Sequence, residues 1–359
     1  MFINIVILGA TGDLASKKIL PACGELTLKN PQYSINIIPW SRKPIENIDQ
    51  LNQYITPNKS VIKTTIIGNY SDPDIIDSIL KSDPDSLFIF YLAIPPSANF
   101  DFVNAISKTS MRNYEIILEK PYSVTKQDFL KLDELIFNNK LEKKINFLDH
   151  YLFKDSYQFN PTVLRFLENS IKSPISKLSV KVLESIDIGN RKDFYDSTGC
   201  INDMFFHVYN IYFKLIKTLD EQEDLNITNL IKGQYESYQT DIGKPSRTDT
   251  AFQLILQNKN QLITFESAKK LNEKLTSLEV EFSDSSILTW NIYPESRLEY
   301  YSKNSFLNLG LKNLNSDHYN IFEALIRGDK SNFVQIPTIR TAWLLLDKVH
   351  EIKSEINIY

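Results

Sequence analysis

Gly9 and Gly12 stand three apart in VILGATGDLASKKILPA (residues 6–22), in a chain with only 10 glycines among 359 residues. Glycines at that point let backbone N–H groups and a helix N-terminus face an anion such as a phosphate. Gly9, Thr11, Gly12, Asp13 and Leu14 are the candidate residues of this loop. Its G-x-x-G-x-x-A spacing is a variant of the dinucleotide fingerprint. By itself it is equally the spacing of an ordinary turn between strand and helix. A second cluster, Ser41-Arg42-Lys43, bears on which dinucleotide would bind. A carboxylate at this place suits the ribose 2′-OH of NAD, whereas cations and hydroxyls suit the 2′-phosphate of NADP. These three residues are of the second kind, and the alternative is a solvated basic turn.

The elements that must carry these clusters follow from hydrophobic patterning. Phe2 to Leu8 reads as a buried strand, and Leu14 to Leu26 follows with helical spacing. INIIPW (35–40), TTIIG (64–68), LFIFYLA (87–93), YEIILEK (114–120) and INFLDH (145–150) read as further strands separated by helical stretches, one starting near Thr125. That alternation predicts βαβ crossovers and a parallel sheet. Ligands of such sheets sit at the carboxyl ends of the strands. The polar punctuation falls there: Gly9 to Asp13, Ser41 to Lys43, Ala93 to Pro96 with Pro95, Glu119-Lys120-Pro121, and Asp149-His150.

After about residue 150 the pattern changes. KLSVKVLES, AFQLILQ, LITFES, SLEVEFS and ILTWNIY have period-2 features and short polar connections, which predicts a largely antiparallel sheet. Helices are expected near 153–170, 200–218 and 338–353. The expected fold is α/β: an N-terminal doubly wound Rossmann domain over 1–150, then an α+β domain over 151–359 with a large, mainly antiparallel sheet. Hydrophobic content of 42% and a formal charge of −4 suit a soluble globular protein and do not indicate a nucleic-acid partner. Cys23 and Cys200 form no paired framework, which suggests a reducing, cytoplasmic compartment without structural zinc. No apolar stretch reaches membrane-spanning length, and no signal-peptide pattern opens the chain.

GATGDLASKKILP, FYLAIPP, IILEKPYS, LDHYLFKDSYQFNPTVLRFLEN and LESIDIGNRKDFYDSTG occur in an order that resembles the glucose-6-phosphate dehydrogenase family. LIKGQY, SRTDTAF, AKKLNEK, LTWNIYPE and DHYNIFEALIRGD continue that order. The most specific of these is DHYxxK at 149–154. The resemblance implies oxidation of a sugar phosphate at C1, with NADP more apt than NAD, in a protein that pairs as a homodimer through its second-domain sheet. It implies His207 as the base and Asp149 as its orienting carboxylate. His150, Tyr151 and Lys154 would hold the phosphate, and Glu184 and Asp203 the sugar hydroxyls. Lys120 would bridge substrate and nicotinamide, and Lys18 and Lys269 would add positive charge, with Lys274 a further candidate. A base for the hydroxyl proton and a partner for its tautomer are what the chemistry requires.

Several positions depart from the family pattern. RDxxQNH is replaced by Asn202-Asp203-Met204-Phe205-Phe206-His207, so the acid and the histidine are four apart rather than five. One residue is about 100° of helix, which predicts a bulge or a shifted helix here. D-x-x-x-H is also similar to a motif of the wider glucose–fructose oxidoreductase superfamily, which oxidises sugars at other ring carbons. Phe153 replaces the usual glycine of DHYLGKE. Lys17 reads as a solvated helix residue, Phe205 and Phe206 as core, Arg191 and Tyr195 as a loop staple, and His318 and His350 as surface or core.

Overall fold

The computed structural model describes residues 1–45, 51, 55, 62, 64–110, 113–155, 173–189, 191–218, 225–303, 305–311 and 315–359. The chain forms two compact units, Met1–His150 with Asn315–Ile336, and Tyr151–Leu314 with Pro337–Tyr359. The two units meet along the chain at residues 150 and 151. The segment Asn315–Ile336, assigned by its sequence position to the second domain, returns to the first. Among the described residues, no helix is long and apolar enough to cross a membrane.

In the first unit, β1 (Phe2–Leu8), β2 (Ser34–Ser41), β3 (Ile66–Ile67), β4 (Leu87–Leu92), β5 (Tyr114–Glu119) and β6 (Ile145–Leu148) form one sheet. Its order is β3-β2-β1-β4-β5-β6, and every neighbouring pair is parallel. This is the doubly wound Rossmann order. Ile3 to Leu8 are all buried, as expected when helices cover both faces of a parallel sheet. α1 (Leu20–Lys29), α2 (Pro73–Ser82), α3 (Asn99–Ser107) and α4 (Lys126–Asn138) lie among the crossovers. Asp72 caps α2 by accepting from Asp74 N at 3.0 Å, and Thr125 caps α4 by accepting from Asp128 N at 3.1 Å. α1 is not uniform with what precedes it: Ala15–Ile19 is a π-helical turn. TTIIG contributes only the short β3, and β6 stops at Leu148, leaving His150 in a 3₁₀ turn over His150–Phe153.

In the second unit, nine strands form a sheet in the order β14-β13-β12-β11-β7-β10-β9-β8-β15. They are β7 (Ile175–Leu183), β8 (Asn226–Gln234), β9 (Ala251–Asn258), β10 (Gln261–Ala268), β11 (Leu275–Phe282), β12 (Ile287–Tyr293), β13 (Ser296–Tyr301), β14 (Phe306–Leu311) and β15 (Ile356–Ile358). All pairs are antiparallel except β7–β10 and β8–β15. The helix expected at 153–170 lies largely outside the described residues. The helix α5 (Lys192–Thr218) packs on the sheet through Phe205, Tyr209 and Tyr212, whose rings surround Phe265 of β10. The last helix spans Ile336–Glu351.

α5 is broken at Gly199, where φ is 72° and ψ 170°. Any Cβ there would lie 2.8 Å from Asp249 Oδ1, so both the conformation and the space call for glycine. The helix restarts at Cys200. Cys200 N donates to Asp249 O at 2.8 Å, and Ile201 N donates to Asp249 Oδ2 at 2.8 Å. Asp249 thus serves as a cap supplied from another part of the chain, and it sets the start of the helix that carries Asp203 and His207. Asp249→Ala is expected to cost about 1–2 kcal/mol, the range for losing a helix cap. Urea unfolding checks this, and an unchanged midpoint would dismiss the cap.

Candidate active site

The ladder register aligns the strand ends of the first unit. Leu8 pairs with Trp40 and Leu92, Leu92 with Leu118, and Glu119 with Leu148. The residues that follow, Gly9, Ser41, Ala93, Glu119 and Asp149, therefore occupy one edge of the sheet. Gly9 has φ +77°, and a Cβ there would lie 2.2 Å from the Ala93 carbonyl oxygen. Gly12 N donates to Gly9 O at 2.9 Å, closing the turn. Thr11, Gly12 and Asp13 are exposed and Leu14 half-buried. Asp13 pairs with Lys17 at 2.7 Å on the exposed face, so Lys17 is a solvated residue as expected. Lys18 is exposed on the π turn, a feature often found at functional sites.

Ser41 is 2% exposed, and its hydroxyl donates to the Lys43 carbonyl, so it shapes the turn. Arg42 and Lys43 are exposed. Ala93 N donates to Leu8 O at 3.1 Å, and Pro95 opens the 3₁₀ turn Pro96–Ala98. Lys120 is half-buried and precedes a cis Pro121, and Asp149 is fully buried. Glu119 accepts from the Tyr91 hydroxyl, and its Oε1 lies 3.7 Å from His318 Nε2. Burial pushes the Glu119 carboxyl up, but His318, His150 and Tyr91 outweigh it and hold it below the usual value. Sequence reading missed this partnership, because His318 lies far away in the returning helix Asp317–Arg327.

The second unit brings together three of the expected substrate residues. β7 and β10 run parallel with Leu183 opposite Ala268, so Glu184 and Lys269 leave the sheet side by side. Lys269 is 1% exposed, donates to Glu184 and lies 3.6 Å from Asp203 Oδ2. Its ammonium sits 5.2 Å from the centre of the buried Tyr195 ring. Burial pulls the Lys269 pKa down, but the two carboxylates outweigh it and raise it above the ordinary value. The Lys269 carbonyl accepts from Tyr359 at 2.8 Å and its N–H donates to Thr250 O at 3.1 Å. Tyr195 is therefore more than a loop staple, and Tyr359 is a contributor that sequence reading did not name.

His207 is 4% exposed, and its ring meets Tyr151 edge-on with centroids 4.6 Å apart. The only non-helical residue inside α5 is Gly199, so Asp203 and His207 share one helical face at i,i+4. Of the bulge or shifted helix expected here, no bulge lies between them, and the irregular residue of the helix lies upstream of both. Phe205 packs on Tyr209 and Phe206 on Trp343, as core residues do. Asn202 engages His350 at 2.9 Å. Phe153 is 2% exposed, so the residue replacing the family glycine is absorbed by packing. Lys154 and Lys274 lie over the same ring, that of Tyr293, at 5.0 and 4.5 Å. Two ammonium groups against one aromatic ring favour an anion nearby.

Comparison with known proteins bears on this arrangement. Residues 6–159 match the family model of the glucose-6-phosphate dehydrogenase NAD binding domain. The glucose-6-phosphate 1-dehydrogenase of Emericella nidulans is 25% identical over 345 residues, covering 78% of this chain and 67% of that protein. That of Encephalitozoon cuniculi is 26% identical over 311 residues, with the same 78% and 67% covered. A solved glucose-6-phosphate dehydrogenase in complex with its substrate glucose-6-phosphate has TM-score 0.81 at 19% identity, covering 99% of this chain and 94% of that one. KijD10, a 3-ketoreductase from Actinomadura kijaniata, has TM-score 0.66 at 12% identity, with 99% of each chain covered, and shares the fold. The class is that of a Rossmann-type oxidoreductase with a large-sheet second unit. Within that class, the chain is similar to the glucose-6-phosphate dehydrogenases, whose NAD binding domain model matches residues 6–159.

Lys269→Met keeps the apolar stem but leaves Glu184 and Asp203 facing each other without their cation. Breaking such a buried pair is expected to cost about 3–5 kcal/mol. Chemical denaturation of the variant measures it, and a loss within experimental error would show that the ammonium is dispensable.

Proposed function

We propose that the protein oxidises glucose 6-phosphate at C1 with NADP as acceptor, giving 6-phosphogluconolactone. The observation that carries this reading is the Glu184–Lys269–Asp203 cluster. Its single cation is shared by two carboxylates, which leaves acceptor oxygens for sugar hydroxyls beside a held positive charge. The residues of the first unit suit a dinucleotide. Gly9 gives the tight turn that the pyrophosphate loop requires, and Arg42 and Lys43 offer cations at the end of β2. Gly9, Thr11, Gly12, Asp13, Leu14, Arg42, Lys43, Ala93, Pro95, Glu119 and Lys120 would hold it, with Ser41 shaping the basic turn. When bound, the nicotinamide supplies the hydride acceptor.

His207 is assigned as the base that takes the C1 hydroxyl proton, and the buried Asp149 as the carboxylate that fixes its tautomer. His150, Tyr151 and Lys154 are assigned to the phosphate, where charge-assisted donors are the stronger ones. The Lys154–Tyr293–Lys274 arrangement supports that assignment and adds Lys274 to it. Lys120 and Lys18 are assigned to the substrate side of the cofactor. A cytoplasmic location and a homodimer formed through the large sheet belong to the same reading.

A second reading, oxidation of another sugar phosphate or at another ring carbon, is favoured by the i,i+4 spacing of Asp203 and His207. A panel of sugar phosphates with NADP or NAD, followed by nicotinamide absorbance, separates the two. Turnover of glucose 6-phosphate supports the first, and turnover only of another sugar supports the second. Cofactor binding without any turnover would dismiss both. With the preferred sugar, His207→Asn should lower kcat by about 10²–10⁴ with little change in KM.

Arg42→Ala should weaken NADP by about 10–100-fold, the loss of one charge-assisted contact, and leave NAD almost unaffected. Steady-state KM values for the two cofactors measure this. An equal effect on both would make Arg42 a structural residue, and a native preference for NAD would overturn the cofactor assignment.

A further inference from the structure

His318 is a buried histidine that the chemistry above does not use. It is 3% exposed and stands in the first turn of the returning helix. A cation is disfavoured there by the helix dipole, yet a carboxylate lies beside each ring nitrogen, within hydrogen-bond distance at Nδ1 and within ion-pair distance at Nε2. Nδ1 is 3.2 Å from Asp317 Oδ1, and Nε2 is 3.7 Å from Glu119 Oε1. Asp317 Oδ1 also accepts from His318 N at 3.1 Å. The Tyr91 ring stacks on the imidazole with centroids 6.1 Å apart, and its hydroxyl donates to the same Glu119. The His150 ring lies 6.4 Å from that of His318.

We propose that His318 is a positioning residue: an imidazolium clamped between Asp317 and Glu119 that holds the Glu119-Lys120-Pro121 strand end in place for the cofactor. The proposal rests on the cofactor assignment of the preceding section, and not on the identity of the sugar. Three observations converge on it. Glu119 is the last residue of β5, so whatever fixes its side chain also fixes the backbone that leads into Lys120. The clamp comes from a segment distant in sequence that has been brought back to this sheet. A neutral imidazole would take away the cation closest to the Glu119 carboxylate, a costly change for a group that is 16% exposed.

Several groups among the described residues face the clamp. Asp317 is on the helix itself, Glu119 on β5, Tyr91 on β4, and His150 follows β6. α1 contributes Cys23, which bears on Tyr91, and Glu25, which accepts from Ser316 Oγ at 2.7 Å. Burial alone would lower the His318 pKa, but Asp317 and Glu119 reverse this and raise it to about 9. The folded value lies above the unfolded value of 6.5, so the stabilisation is fully present below that pH and is lost as pH rises through about 9.

Two measurements test the clamp. The first is an NMR titration of the four histidines in the wild-type chain and in His318→Gln. One imidazole should stay protonated until about pH 9, and that signal should be missing from the variant. All four titrating near the ordinary value would overturn the proposal without requiring any variant to fold. The second is NADPH binding followed by nucleotide fluorescence between pH 6 and 9. His318→Gln should bind at least tenfold more weakly at neutral pH. A dissociation constant and pH profile within twofold of wild type in His318→Gln would overturn the positioning role, even if the variant melts earlier. Wild-type protein that binds no NADPH overturns the proposal together with the cofactor assignment. Binding without turnover of glucose 6-phosphate overturns the reaction and leaves the two titrations to decide the clamp.

Discussion

The buried ammonium of Lys269 is the charge on which the second unit depends. An ammonium that is 1% exposed persists only when paired, and here the pairing joins residues of three elements. Glu184 leaves β7, Lys269 leaves β10, Asp203 comes from α5, and Tyr195 lies upstream of the helix break. β7 and β10 must be parallel neighbours for the first two to meet, and that is one of only two parallel pairs in the nine-stranded sheet. The parallel β7–β10 pair is thus tied to the charge cluster it brings together.

The first unit solves a similar problem by different means. Its charged groups lie at the ends of parallel strands, and the ladder register brings those ends to one level. Glu119 needs compensation there, and the sheet provides only a hydroxyl and no cation. It comes from His318 and Tyr91, the one on a returning helix and the other on the neighbouring strand. Both units therefore place a carboxylate at a strand end and balance it with a nearly buried cation. In each case the cation is drawn from sequence far from its partner, which couples the local charge to the integrity of the whole unit.

The helix α5 shows how a family pattern can change without loss of order. One residue fewer separates acid and histidine, and no bulge restores the usual spacing. The helix instead breaks at Gly199 and is restarted by Asp249, a capping partner fifty residues or so away along the chain. The ring of Tyr151 then packs against His207. The irregularity falls where a glycine permits it, upstream of Asp203 and His207.

Much of this was written in the sequence. The five principal strands of the first unit, the Thr125 helix start and the turn at Gly9 follow from burial on both sheet faces, from capping chemistry and from glycine's access to positive φ. These are local causes, and local residues record them. The strand-end location of Glu119 and Asp149 followed in the same way. The strands β8, β13, β14 and β15, the return of Asn315–Ile336 to the first unit and the break at Gly199 were not legible, because each depends on what lies alongside it in space. Pairing leaves no trace in spacing when the partners are far apart: the Glu119–His318 contact joins residues 119 and 318, and the Lys269–Glu184 contact joins 269 and 184. Sequence determined which groups could carry charge and which segments had to be buried. Only the tertiary structure decided which charges would neutralise one another, since that choice is made by the low dielectric of the interior acting on groups that the fold has already brought together.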